Sequence, residues 1–276
     1  MRVVYALWLR NLKAFVRNKP ALIFNLIFPF FFIFVFGEIF RNDFIENPMS
    51  YMLAGIIAAT VFDSSFRVSS STIDDMTSGF MKEVLVSPVS RLTVAAGQFI
   101  SSATIATVQG VIIFGVGFFI GFRITSPFTI ILALLAMVFI GLVLAGFGLL
   151  IATMTKNTQT FQAVSIAITM PMTFMSGAYI PLSMLPNALR WVGYFNPLTY
   201  VVSLFRTITL EKLDVPVAEL IAEDLAFEIG RITIGPAQAL MILTIVGIAF
   251  ISLSALAFAR VDFSRMNRSK DDYLEI

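Results

Sequence analysis

Residues 128–154 read FTIILALLAMVFIGLVLAGFGLLIATM, from Phe128 to Met154, twenty-seven positions without one charged side chain. A bilayer core about 30 Å thick is crossed by roughly 20 apolar residues wound as an α-helix, in which every backbone N–H and C=O is satisfied within the segment. The stretch is therefore read as a membrane span, and the composition around it agrees. Of 276 residues, 58% are hydrophobic and 13% charged, where a soluble domain carries about 25% charged. So few polar side chains do not cover a water-facing surface.

The same criterion, applied outward, gives six spans: Ala21–Phe40, Met49–Ser71, Ala95–Phe122, Phe128–Met154, Phe161–Ile180 and Pro236–Arg260. The expected fold class is all-α integral membrane. The first span follows basic residues as a signal peptide does, but it is long and no small-residue cleavage site follows Phe40, so it is read as a retained anchor. Orientation comes from Lys and Arg in the connecting segments. With the N-terminus inside, the inner segments hold twelve of the nineteen, the outer segments six, and Arg67 lies in a span. Both termini are expected in the cytoplasm of a multi-pass cell-membrane protein.

Cysteine and histidine are both absent. That removes disulfides, thiolate and imidazole metal sites and every His-dependent acid–base scheme, so neither a metal site nor a catalytic residue is expected. The net charge is +2, with Lys and Arg in short clusters between apolar runs, which argues against a nucleic-acid partner. Membrane lipid is the expected surroundings.

Three segments outside the spans carry a pattern. Met1 to Lys19, wound at about 100° per residue, puts Arg2, Arg10, Lys13 and Arg17 on one face and Val4, Leu7, Trp8, Leu12 and Phe15 on the other. This interfacial helix is either a surface anchor or a lever touching a cytoplasmic partner. Pro20 breaks it before the first span. Residues 74–92 are too polar to cross, yet Met81, Val84 and Leu85 recur at helical spacing until Ser87-Pro88 ends the run. They predict an amphipathic helix, either an ordinary interfacial one or a plug for a groove on another protein. Pro181 to Gly235 predicts short outer helices, one capped by Asn196 with Pro197 in its first turn, another starting at Pro186-Asn187. Its Trp191, Tyr194, Phe195, Tyr200, Leu204 and Phe205 mean that it either dips into the outer leaflet or packs on the span ends, with Trp and Tyr at headgroup depth, and Glu219, Glu223, Asp224 and Glu228 suggest a more exposed acidic helix ending at Gly230.

Two of these runs carry a family resemblance. One is Gly79-Phe80-Met81-Lys82-Glu83-Val84-Leu85-Val86-Ser87-Pro88-Val89-Ser90-Arg91. The other is Met175-Ser176-Gly177-Ala178-Tyr179-Ile180-Pro181, continuing through Leu185-Pro186 to Asn196-Pro197-Leu198-Thr199-Tyr200 and Arg206. Together they resemble the ABC-2 type permeases, the membrane subunits of ATP-binding-cassette exporters, and within them the daunorubicin-resistance and lipo-oligosaccharide exporter branch. The resemblance covers nearly the whole chain; many members carry Gly-Thr where this chain has Gly79-Phe80. It implies the ABC-2 exporter fold, with a coupling helix at 74–92 and re-entrant outer helices at 181–235 marked by Gly177, Pro181, Pro186, Asn196 and Pro197. It also implies a homodimer of permeases with two ABC ATPase subunits, exporting a hydrophobic or amphipathic drug, lipid or lipo-oligosaccharide. No phosphate-binding Gly-x-x-x-x-Gly-Lys-Ser/Thr loop occurs, so ATP and Mg are expected on the separate ATPase and no cofactor on this chain. Gly79, Lys82, Glu83, Ser87, Pro88, Ser90 and Arg91 are then the expected coupling residues, with Glu83 or Arg91 making the charge contact.

Within the spans, Asp63 and Arg67 stand one helical turn apart, where an isolated charge costs at least about 2.5 kcal/mol at mid-bilayer. Either the two compensate each other or the helix lines a wet cavity. Ser64, Ser65, Ser69, Ser70 and Ser71 widen that polar face. Gln109 and Gln162 are read as interhelical hydrogen-bond partners or, with Asp63 and Arg67, as lining a translocation path. Gly117-x-x-x-Gly121 and Gly141-x-x-x-Ala145 predict close helix approach, and Pro29 and Pro171 predict kinks. A secondary transporter, a membrane-embedded enzyme and a scaffold recruiting a cytoplasmic partner are the rival functions. The first lacks paired repeats with matching broken helices, and the second lacks His and Cys.

Overall fold

The computed structural model describes residues 2–39, 48–78, 90–155 and 157–260. The coupling-motif residues Gly79, Lys82, Glu83, Ser87 and Pro88 lie outside them. The described chain is mostly helical: α1 (Arg2–Arg17), α2 (Lys19–Ile39), α3 (Pro48–Val68), α4 (Ser70–Thr77), α5 (Arg91–Ile120), α6 (Pro127–Met154), α7 (Thr158–Met175), α8 (Asn187–Tyr194), α9 (Pro197–Thr209), α10 (Val217–Ala222) and α11 (Pro236–Arg260). A two-stranded antiparallel hairpin, β1 (Phe227–Ile229) and β2 (Ile232–Ile234), precedes α11.

By length and apolarity, four helices among the described residues can cross a membrane: Pro48–Met76, Arg91–Phe119, Pro127–Met154 and Pro236–Arg260. A fifth crossing arises if α1 and α2, bent by 85°, form one broken span. The bend falls where Pro20 enters the first turn of α2, a position where its missing N–H is harmless. The second span runs further than the sequence suggests, because α4 continues α3 past Ser71 with only Ser69 between them. α7 is eighteen residues long, with Gln159 and Gln162 in its first turns, and is not among the four.

Helix α3 is the hub, with every residue from Tyr51 to Ala59 buried. It packs against α5, α6, α2 and α9, and α6 packs most extensively against α11. Small residues set the spacing. A Cβ at Gly141 would sit 2.9 Å from the Ala103 backbone of α5, and Ser65 Oγ donates to Gly141 O across 2.6 Å. Gly121 plays a different part from the one its spacing predicts: at φ +108° it is the left-handed cap of α5, and a Cβ added there would meet no atom within 4 Å.

The amphipathic α1 lies on protein. Leu7 is buried against Gly97 of α5, Trp8 Nε1 donates to Thr104 Oγ1 (3.0 Å), and Asn11 Nδ2 donates to Gln98 Oε1 (2.9 Å). Arg10 leaves the basic face to pair with Asp75 of α4, while Arg2, Lys13 and Arg17 stay exposed.

After Met175 the chain breaks at Gly177, whose φ of +87° lies in the region that glycine enters without penalty. Of the two placements the sequence leaves open for the segment beyond, α9 takes the packed one, against α3 and α11. Every residue of α9 from Leu198 to Thr209 is buried, although Trp191 and Phe195 before it are exposed. The acidic helix expected to reach Gly230 ends at Ala222 as α10. From Phe227 the alternation of apolar and polar side chains and the β-branched Ile229, Ile232, Thr233 and Ile234 favour the hairpin, which turns at Gly230 with φ +65°. Phe227 then inserts between Tyr194 and Tyr200, its ring centroid 5.6 and 5.3 Å from theirs. Glu211 ties this segment to the loop before α6, accepting from Ser126 N (2.7 Å) and Thr125 N (3.1 Å). The Ser126 backbone bond first, helped by the Thr129 and Thr125 side chains, holds its carboxyl below the usual range.

Asn196 joins α7 to α9. Its Oδ1 accepts from Leu198 N (3.0 Å) as the predicted cap, and its Nδ2 donates to Met172 O (2.6 Å), one of the carbonyls that the end of α7 orphans. Asn196→Ala is expected to cost about 1–2 kcal/mol, measured as a lower Tm in detergent. Asn196→Asp, which keeps the cap and loses the donor, should fall between the two. Equal melting of all three proteins would remove the joint from consideration.

Candidate functional site

Two cavities meet inside the bundle. One, of about 380 Å³, lies between α2, α3 and α7; the other, of about 410 Å³, lies among α1, α2, α3, α4 and α5. Asn25, Arg67 and Gln109 line both and form the junction. Ser64, Ser70, Ser71 and Asp74 make the second cavity polar, as the serine-rich sequence predicts. Ser65 and Ser69 turn to α6 instead, one donating to Gly141 O and the other resting on Gly148.

The Asp63–Arg67 pair forms, and it faces a cavity as well. Arg67 Nε donates to Asp63 Oδ2 at 2.7 Å, with 55% of the arginine side chain and 32% of the aspartate exposed. The two readings of the sequence are thus compatible, because the pair forms and both of its residues line the first cavity. Asp63 lies close to the middle of the 29-residue stretch Pro48–Met76, the depth at which an unsolvated charge is most costly. Gln109 accepts a short hydrogen bond from Ser64 Oγ. Gln162 is not brought to the site: it is exposed on α7, lines neither cavity and makes no hydrogen bond to a described residue.

Aromatic rings close the first cavity at the end nearer α9. Phe32 and Tyr179 have centroids 4.6 Å apart, with Phe174 at 5.4 Å from Tyr179. Beside the second cavity, Asp74 accepts from Thr158 Oγ1 (2.5 Å), so α4 is tied to α7 by Asp74 and to α1 by Asp75. Of the coupling motif, Ser90 caps α5 by accepting from Thr93 N (3.2 Å), and Arg91 Nη1 donates to Ala259 O (2.7 Å) in the last turn of α11. Both ends of the stretch 79–89 are therefore fastened to spans.

Reading the sequence missed Asn25, Thr60, Thr169, Thr173 and Tyr179 as cavity residues. Two signals were present. Asn25, Pro29 and Phe32 share a helical stripe, as do Ile166, Thr169, Met170 and Thr173.

The sequence profile of the ABC-2 type transporter family matches residues 2–210. The chain belongs to the ABC-2 type transporter family. Among relatives of this permease, it is 26% identical over 238 residues to the putative transport permease ycf38 of Cyanophora paradoxa, covering 83% of this chain and 79% of that one. It is 22% identical over 218 residues to the inner membrane transport permease YadH of Escherichia coli K12, covering 76% and 84%. It is 25% identical over 216 residues to nodulation protein J of Rhizobium leguminosarum bv. viciae, covering 74% and 81%. The ABC-2 permease is thus a membrane-embedded, multi-pass transport protein.

Proposed function

We propose that this ABC-2 permease is the transmembrane subunit of an ATP-driven exporter that moves a hydrophobic or amphipathic molecule outward through the joined cavities. The observation that carries the proposal is their junction at Asn25, Arg67 and Gln109, a polar crossing point beside a charge pair near mid-span. In this reading the spans number six, α2 and α7 joining the four long apolar helices, and α8 and α9 are re-entrant on the outer side. Two copies pair across the cavity mouth, which the exposed apolar side chains of α2 (Phe24, Phe31) and α7 (Ile166, Met170) support. ATP and Mg are held by two ATPase subunits docked on Gly79 to Arg91, where fastening to α4 on one side and α11 on the other suits transmission of closure.

The test is reconstitution in proteoliposomes with an ATPase that carries a phosphate loop. ATP-dependent movement of an amphipathic dye is expected, and an assembled complex that hydrolyses ATP without moving any would favour the scaffold reading. Glu83→Lys should lower ATPase co-purification about tenfold, the scale of one lost charge contact of about 1.4 kcal/mol, and unchanged recovery dismisses that docking site. Single cysteines at Ser269 and Asp214 should label from opposite faces of sealed vesicles; labelling from one face overturns the topology.

A further inference from the structure

The junction residues state more than a path. Asp63 takes the Arg67 Nε–H, which leaves the Nη edge of the guanidinium without an acceptor among the described residues while 55% of the side chain stays exposed. Gln109 Oε1 already accepts from Ser64, so its amide NH2 is the half left for a ligand. Asn25 supplies a third polar group from a third helix, α2. All three residues common to both cavities are therefore hydrogen-bond donors, brought together from α2, α3 and α5. A planar carboxylate can satisfy the arginine edge alone. Donors arriving from three helices suit a tetrahedral acceptor with several oxygens, and Arg favours phosphate through its paired N–H groups.

The rest of the wall is apolar. Phe24, Ile166 and Met170 line the first cavity and are each more than half exposed, so the wall runs out at the open face between α2 and α7, the mouth across which the two copies pair in the exporter reading. Each cavity has the volume of a small-molecule site, roughly 300–1,000 Å³. Resting on the exporter reading above, we propose that the site binds a phosphate ester with a hydrocarbon tail. The phosphate sits on Arg67, Gln109 and Asn25, and the tail lies along Phe24, Ile166 and Met170. Asp63 holds the guanidinium in place through Nε and leaves its Nη edge for the phosphate.

The absence of cysteine makes a direct test available. Thr173→Cys places one thiol on the cavity wall, and its maleimide labelling rate in detergent reports occupancy without any ATPase. Lysophosphatidylglycerol is expected to slow labelling about tenfold, whereas a monoacylglycerol of the same chain length and glycerol 3-phosphate slow it less than about twofold. Adding Arg67→Gln to the reporter should abolish the protection, and Asp63→Asn, which breaks the same pair but keeps the guanidinium, should preserve it. Equal protection by monoacylglycerol, equal protection by glycerol 3-phosphate, no protection by any probe, or protection that survives Arg67→Gln each overturns the proposal. Loss in both variants alike assigns the effect to the broken pair and overturns it too. ATP-driven movement of an amphipathic dye by a permease that lysophosphatidylglycerol does not protect would leave the exporter reading standing and reject the headgroup site; protection without any ATP-driven movement would do the reverse.

Discussion

Arg206→Met is expected to lower the stability of the permease by about 3–5 kcal/mol, the sum of two charge-assisted hydrogen bonds and the carbonyls they leave unpaired. That corresponds to a fall in Tm of roughly 10 °C, read by thermal unfolding in detergent. Arg206 is 1% exposed in the last turn of α9. Its Nε donates to Tyr51 O (3.1 Å) on α3, its Nη2 donates to Ala178 O (3.0 Å) just after the Gly177 break, and its guanidinium lies 3.5 Å from the centroid of the Tyr51 ring. One side chain thus joins the outer segment, the hub helix and the turn that carries Tyr179 into the cavity roof. Methionine fills much of the volume but satisfies neither carbonyl. Arg206→Lys should rescue little, since an ammonium cannot span both carbonyls and lie flat on the ring. Gly55→Ala attacks the same joint from the other side, because its Cβ would fall 2.5 Å from Arg206 Nη2 and 2.4 Å from Ala178 O. An Arg206→Met protein that melts with the parent would show that the outer segment is held by apolar packing alone.

The sequence exposes α6 and α11 directly, because nothing interrupts their apolar runs and hydropathy alone marks a span. It exposes Asp63 and Arg67 for the complementary reason, as charges where charge is costly. The opposite walls of the cavity were hidden: Asn25 and Thr173 are unremarkable residues whose relevance depends on how α2 and α7 lie against α3, a tertiary fact that no local pattern records. The Phe227–Ile234 hairpin was hidden by Glu228, whose spacing with Glu219, Glu223 and Asp224 imitates a helix face, while the alternation that decides the matter is only three residues long on each strand. The pairing of Arg10 was hidden too, since an amphipathic helix with four basic residues reads the same whether its partner is a headgroup or Asp75.

Gly146→Ala and Gly115→Ala make the same chemical change and are expected to act in opposite directions. In a helix interior, alanine gains about 0.5–1 kcal/mol over glycine, through lost backbone freedom in the unfolded chain. At Gly115 of α5, no atom lies within 4 Å of an added Cβ, so that gain should appear as a small rise in Tm. At Gly146 of α6, the added Cβ would lie 2.8 Å from Ile251 N and 2.9 Å from Phe250 C, both main-chain atoms of α11. A side chain there could swing aside, but a helix backbone moves only as a whole. Relief of the clash therefore requires α6 and α11 to separate along the most extensive helix pair in the bundle. Overpacking of this kind costs about 1–3 kcal/mol even where side chains can yield, and Gly146→Ala should lie at the upper end or beyond. Measured side by side, the two variants separate an intrinsic preference for alanine from the demand of a particular neighbour. If Gly146→Ala were as stable as Gly115→Ala, α6 and α11 would have to be further apart than their small residues place them.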